Sequence, residues 1–274
     1  MNKNIISDQK EFFNKIAVRG EHKIVSNKFF FDYVNKEQIN GFNWISADKK
    51  ILEYGCGSGN SLDLFFETRD INNYDFYAVD IAEEAIKIPQ KKYPTIKFFT
   101  ITKNKIPQIK ENSLDAAYMF HVLHHSSSHQ EVFNEISLKL KPGGKFLIND
   151  LTSNNPIIKT GRLLFTNMPG FIKNRFSDDL VVEGKIPEKY KIDTNTVKKQ
   201  LDQANFEIIE TGYGHLFFFL FNWIDRFLPL TKINLSNTLY NRLIRLENWL
   251  LTKDFFKKYG EVVYIKCIKS NGNK

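Results

Sequence analysis

The sequence predicts an α/β fold, a three-layer sandwich in which a mostly parallel, seven-stranded sheet is covered by helices on both faces. Two observations predict it. Short apolar runs at 51–54, 76–79, 96–99, 114–119 and 145–149 alternate with stretches whose apolar residues recur at helical spacing. The runs are mostly apolar, as strands covered by helices on both faces tend to be. Sheets of this kind bind ligands outside the carboxyl ends of their strands. Gly55, Asp80, Thr102 and Phe120 all follow strand ends, so all can face one crevice.

The elements follow in order. Residues 1–48 read as an N-terminal helical segment, with Phe12, Phe13, Ile16 and Ala17 on one face and Phe29, Phe30 and Val34 on another. The core is expected over 49–212 together with 259–270. Its first strand, 51–54, stops at Gly55, and a helix over 60–69 carries Leu62, Phe65 and Phe66. The second strand, 76–79, ends at Asp80, and the helix over 82–92 is dented at Pro89. Strands at 96–99 and 114–119 come next. The helix over 129–140 aligns Val132, Phe133, Ile136 and Leu140 and stops at Lys141-Pro-Gly-Gly144. The fifth strand is 145–149.

The alternation breaks after Asp150. Residues 151–192, with Pro156, Gly161, Pro169, Gly170, Gly184 and Pro187, read as an insertion over the site. A helix over 194–204, a strand over 206–210 and a last strand over 261–268 complete the core. Residues 213–258 read as an apolar helical lid. In 216–230, Asn222, Asp225 and Arg226 form a narrow polar stripe, and further on Leu239, Leu243, Leu246 and Leu250 share a face. Three roles compete for this hairpin: a cover buried over the substrate pocket, a dimer contact, and a peripheral membrane contact. A large apolar cover favours an apolar or lipid-like acceptor.

The chain of 274 residues, 42% hydrophobic, suffices for one large domain or a domain with an appendage. Its formal charge is +8. The lysines come as scattered pairs, such as Lys49-Lys50 and Lys198-Lys199, close to acidic residues and never as a long block. No nucleic-acid partner is therefore expected. The two cysteines, Cys56 and Cys267, show no metal spacing and make no disulfide framework, which fits a reducing compartment. Residues 1–10 lack the apolar stretch of a signal peptide, and the longest apolar run, 216–221, is too short to span a bilayer. A cytoplasmic location is expected.

The segment Glu53-Tyr-Gly-Cys-Gly-Ser-Gly-Asn60 carries the chemistry. Glycines between a strand and a helix permit positive φ and close backbone approach. The helix start beyond offers free N–H groups to an anionic group. A dinucleotide loop would place its third glycine at position 60, where Asn60 stands, and no Lys-Ser/Thr pair completes a phosphate loop of the nucleotide-hydrolase type. Asp80 can accept from both hydroxyls of a ribose, or cap the helix that follows.

The string Ile51-Leu-Glu-Tyr-Gly-Cys-Gly-Ser-Gly59 resembles the first motif of class I S-adenosylmethionine-dependent methyltransferases, and Phe76-Tyr-Ala-Val-Asp-Ile81 resembles their second. Asn112-Ser-Leu-Asp-Ala-Ala117 with His121-Val-Leu-His-His125 is similar to their fourth-strand segment. Leu138-Lys-Leu-Lys-Pro-Gly-Gly-Lys-Phe-Leu-Ile148 is similar to the approach to their fifth. The resemblance implies an antiparallel seventh strand, S-adenosylmethionine as cofactor and a small-molecule acceptor. It implies that Glu53 and the backbone of Gly55, Cys56, Gly57 and Gly59 hold the methionine moiety. Asp80 would hold the ribose and Ile81 would pack on the adenine. Phe120 and His121 would flank the sulfonium. Thr102, with Lys103 beside it, falls where many relatives carry an acidic residue for the adenine amine, so the adenine end departs from the pattern.

His121 is the candidate catalytic base, since a neutral imidazole can deprotonate an acceptor hydroxyl or amine. If 121–125 begin a helix, His121, His124 and His125 share a face at metal-ligand spacing. Local packing or capping is the plainer reading, and no metal is expected. Besides a small-molecule methyltransferase, two classes compete: an inactive cofactor-binding module, and an RNA or protein methyltransferase. The latter would be expected to show a basic groove, an added binding domain or an Asn/Asp-Pro-Pro-Tyr-like motif, where this fourth strand ends in Met119-Phe-His121.

Overall fold

The computed structural model describes residues 28–126, 128–152, 192–217 and 234–271, with Lys10, Glu11, Asn14 and Thr160 besides. The expected helix face at Phe12, Phe13, Ile16 and Ala17 lies outside them. So do the expected insertion, apart from its ends and Thr160, and residues 218–233 of the expected lid.

Helix α1 (Lys28–Ile45) leads into β1 (Lys50–Tyr54) and α2 (Asn60–Phe66). Strand β2 (Asp75–Asp80), helix α3 (Glu83–Lys92), β3 (Lys97–Thr100) and β4 (Leu114–Phe120) follow. Then come α4 (His129–Lys139), β5 (Leu140–Leu151), α5 (Thr194–Gln203) and β6 (Phe206–Gly214). Helices α6 (Asn234–Leu250) and α7 (Asp254–Lys257) precede β7 (Val262–Lys269). The sheet has seven strands in the order β3-β2-β1-β4-β5-β7-β6. The pairs among β1 to β5 are parallel, and β7 runs antiparallel to both β5 and β6.

Alternation along the strands sends successive side chains to opposite faces and splits the core in two. On one face Ile51, Phe76, Tyr118, Phe120 and Leu147 pack with Phe42 of α1 and Leu62 and Phe65 of α2. On the other, Leu52, Val79, Met119, Phe146 and Ile148 pack with Val132, Phe133 and Ile136 of α4 and Val197 and Leu201 of α5. This is the three-layer α/β arrangement that the strand–helix alternation predicts.

Three local features go beyond the sequence reading. The helix stops before Lys141-Pro-Gly-Gly144 as expected, and this stretch is the bulged start of β5, whose register with β4 shifts between Leu114 and Ala116. The bulge absorbs the Pro and Gly residues that end the helix. Strand β6 runs on to Gly214 because β7 pairs with it as far as Val262. In α6, Leu246 is 47% and Trp249 56% exposed and Leu243 and Leu250 are half-buried, while Glu247 is fully buried. A hydrogen-bond donor at the end of β6 draws Glu247 inward, since Phe217 N donates to its Oε2 at 2.7 Å.

Candidate active site

Strand β1 lies between β2 and β4, so the chain's direction of travel across the sheet reverses there. The crevice outside the carboxyl ends of β1 and β4 is the switch point. The glycine loop opens it. Gly55 N and Cys56 N both donate to Val79 O, at 2.7 and 3.0 Å, which ties the loop to β2. Gly55 has φ +83°, and a Cβ there would stand 2.3 Å from Val122 Cγ2. Gly57 has φ +48°, and a Cβ there would meet no atom within 4 Å. The first glycine thus serves the fold, while the second faces open space.

Asp80 closes the loop from the neighbouring strand. Its Oδ2 accepts from Gly57 N at 2.8 Å and its Oδ1 from Ala82 N at 2.8 Å. Asp80 thus braces the turn before α3 and does not cap it, since the N-cap is Ala82 with no side-chain cap hydrogen bond, and each oxygen keeps a lone pair for a further donor. Burial pushes the carboxyl above its ordinary range, opposed by the backbone N–H groups.

Glu53 is 1% exposed. Its Oε1 accepts from the Ser61 hydroxyl, and its Oε2 is buried with no donor in hydrogen-bond geometry. Burial raises its pKa to about 7, although Ser61 and the nearby Tyr118 hydroxyl favour the charged form. An unmet carboxylate oxygen beside a glycine loop suits a cationic donor such as an ammonium.

The other positions sort themselves by burial. Cys56 is buried and its thiol is pushed well up by desolvation, with Glu53 and Asp80 adding to the effect, so it stays protonated. Ile81 is half-buried against the core. Thr102 and Lys103 are exposed, in a turn where Lys103 and Asn104 have φ 53° and 58°. Asn104 accepts from the Tyr54 hydroxyl at 3.1 Å. The Phe120 ring packs into the core 5.1 Å from Phe42 and from Tyr118.

The condition for a shared histidine face, an α-helix beginning at 121–125, is not met. His121 has φ +56°, a strained value for a non-glycine residue, and only Leu123–His125 form a short 3-10 turn. The Gln38 amide nitrogen donates to His121 Nε2 at 3.2 Å. That contact requires the tautomer with its proton on Nδ1. Burial lowers the His121 pKa, partly offset by Asp150, so the ring is neutral.

His124 is committed elsewhere: its Nδ1 lies 2.6 Å from Asp150 Oδ1. Leu123 N donates to Asp150 Oδ2 at 2.6 Å and Leu151 N to Oδ1 at 2.6 Å. Asp150 is fully buried, yet these contacts outweigh desolvation and hold its pKa at about 2. Among the described residues no cluster of three or more His, Cys, Asp or Glu side chains is arranged to hold a metal.

Asp150 and Gln38 were invisible to the motif reading. A sequence cue existed for Asp150, an acidic residue at a strand's carboxyl end like Asp80. Gln38 offered none, because its partner stands 83 residues away.

Residues 52–148 match a family described as a methyltransferase domain. With the fold and loop above, residues 52–148 carry a class I, S-adenosylmethionine-dependent methyltransferase domain of Rossmann-like architecture. It is 25% identical over 213 residues to the tRNA N(3)-methylcytidine methyltransferase trm140 of Schizosaccharomyces pombe, covering 74% of this chain and 66% of that protein. The chain thus spans about two thirds of that relative's length. It is 26% identical over 179 residues to the demethylmenaquinone methyltransferase of Chlorobaculum parvum, covering 64% of this chain and 71% of that enzyme. A putative sarcosine dimethylglycine methyltransferase from Galdieria sulphuraria has the same fold, with a TM-score of 0.57 at 15% identity, over 96% of this chain and 99% of that one.

The residues present fit S-adenosylmethionine. Glu53 Oε2 lacks a donor, Gly57 borders open space, and Asp80 keeps acceptor capacity at the end of β2.

Proposed function

We propose that the chain transfers a methyl group from S-adenosylmethionine to a nitrogen of an RNA base. The observation that carries the donor half is the Glu53–Gly57–Asp80 arrangement. Glu53 would take the ammonium of the methionine moiety, Asp80 the ribose hydroxyls, and Gly57 the close approach of the ligand to backbone. Ile81 would cover the adenine, with Thr102 and Lys103 at its exposed side and Phe120 supporting the sulfonium end from within the core. When bound, the cofactor would supply a methyl group on a sulfonium: an acceptor's lone pair would bond to the methyl carbon in line as the carbon–sulfur bond breaks and the neutral thioether leaves. The chain's part is then largely positioning. His121, with Nε2 engaged by Gln38, orients through its Nδ1 proton more readily than it removes one.

The RNA acceptor is supported by the relationship to the tRNA-modifying enzyme. It replaces the small-molecule acceptor that the motifs imply. A small molecule remains the second reading, favoured by the relationship to the quinone-pathway enzyme across 71% of its length. No helix among the described residues is long and apolar enough to cross a membrane.

Methyl-labelled S-adenosylmethionine, offered with total tRNA and separately with a panel of quinones, phenols and amines, tests both. Label in tRNA supports the first reading. Label confined to the panel establishes the second, and label in neither, with the donor bound, defeats both.

A further inference from the structure

A second polar cavity of about 190 Å³ lies beside the end of β6, walled by Tyr33 and Glu37 of α1, Tyr213 and His215, and Tyr264 of β7. It belongs to the same edge of the molecule as the glycine loop. Strand β6, antiparallel to β7 as β5 is, ends where β1 and β4 end. Helix α1 joins the two places: Glu37 lines the cavity, and its neighbour Gln38 donates to His121.

The cavity is built at a cost to the strand. Gly212 and Gly214 occupy alternate positions on one face of β6, where a side chain would normally add packing and strand propensity. A Cβ on Gly212 would stand 1.8 Å from Tyr264 Cζ, and one on Gly214 would stand 2.9 Å from Val262 Cγ2 and 3.5 Å from Glu37 Cγ. Gly212 leaves the room that the tyrosine ring fills, and Gly214 spares a clash with Val262 beside the Glu37 stem.

Behind His215 stands a carboxyl group. Glu247 is fully buried, and its Oε1 meets no donor in hydrogen-bond geometry, lying 4.0 Å from His215 Nδ1. The His215 ring meets Tyr33 edge-on with centroids 4.5 Å apart. Burial raises both Glu37 and Glu247, the latter to about 7, although Lys36, also on the wall, and Asn40 pull Glu37 back. A group in the cavity that donates hydrogen bonds or carries positive charge would relieve Glu37 directly, while Glu247, behind the wall, acts on it through His215. Tyrosine faces suit a planar ring or a cation.

We propose that this cavity is the acceptor subsite and takes an amino-bearing group, held by Glu37 and the His215–Glu247 pair against the tyrosine rings. The proposal rests on the methyl-transfer reading and deepens it by naming the chemistry the acceptor presents. That chemistry has two sources, the exocyclic amine of a nucleobase and a free alkylamine.

The test uses the full chain saturated with S-adenosylhomocysteine, titrated by NMR with cytidine and separately with ethanolamine. Binding of either probe, weakened at least tenfold by Glu37→Gln and by Glu247→Gln, is the expected result, and the probe that binds identifies the source. Glu37 is only half-buried, so Glu37→Gln keeps the test valid if Glu247→Gln fails to fold. Absence of binding by both probes, or binding that Glu37→Gln leaves unchanged, overturns the proposal. Calorimetric binding of S-adenosylhomocysteine by wild type is the control. Its failure defeats the methyl-transfer reading instead.

Discussion

At the glycine loop, the polar contacts join residues close in sequence: Gly57 reaches Asp80 across 23 positions, and Ser61 reaches Glu53 across 8. At the end of β6, Phe217 reaches Glu247 across 30 positions, and a helix from the start of the chain supplies Tyr33 and Glu37. The first region is made by one strand–turn–helix and its neighbouring strand. The second is assembled from four separate stretches, and its two glycines lie in a strand instead of a turn. A local motif can be recognised in a sequence, whereas an assembled cavity emerges only when the sheet has closed. If the account is right, the donor chemistry sits in the first region and the acceptor chemistry in the second, and mutations should separate them.

The largest effect is expected from Gly55→Ala. Its Cβ would press on Val122 at a positive φ, so left-handed strain adds to overpacking. Unfolding in urea should show a loss of about 3 kcal/mol or more, together with loss of donor binding. Gly212→Ala is the counterpart in the other region. The side chain must push the Tyr264 ring aside, at about 1–3 kcal/mol. Titration should find its donor affinity within twofold of wild type. Equal loss of donor binding in the two variants would break the separation.

Two buried carboxylates should respond to pH in opposite directions. Asp150 has its pKa lowered from 3.8 to about 2. Its folded-state charge contributes stability above pH 3.8, and that contribution is lost as pH falls through about 2, roughly 2 kcal/mol in all at ~1.4 kcal/mol per tenfold. Asp150→Asn should therefore be less stable than wild type near pH 6, with the gap closing toward pH 2 in chemical denaturation. Glu53 has its pKa raised from 4.5 to about 7, so the folded chain holds a proton that the unfolded chain has released. Wild-type stability should fall between pH 4.5 and 7 on this account. Glu53→Gln should recover up to about 3 kcal/mol at pH 8 and little at pH 4, while weakening the donor. A stability gain without any loss of affinity would remove Glu53 from the donor site.

The legible part of the fold is the part written in local pattern. Strands at 51–54, 76–79 and 114–119 and the helix at 129–140 match the structure within a few residues, because burial on both faces and helical periodicity leave direct marks. The β5 bulge at Lys141–Gly144 was hidden, since Pro and Gly mark chain breaks whether or not pairing continues beyond them. The buried Glu247 was hidden because its partner, the Phe217 N–H, lies 30 positions away. At the site, Glu53, Gly57 and Asp80 stood out through spacing. Asp150 and Gln38 did not, because their importance comes from partners brought together by the sheet order.

The central claim is that the loop between β1 and α2 holds S-adenosylmethionine, and Gly57→Ala tests it most directly. A Cβ at position 57 meets no atom of the protein, so beyond about 1–2 kcal/mol of backbone strain at φ +48° it obstructs only what occupies the space beside the loop. Calorimetric titration with S-adenosylmethionine should show binding to wild type and at least tenfold weaker binding to a folded Gly57→Ala. Absence of binding to wild type, or equal affinity in the two proteins, would contradict the account.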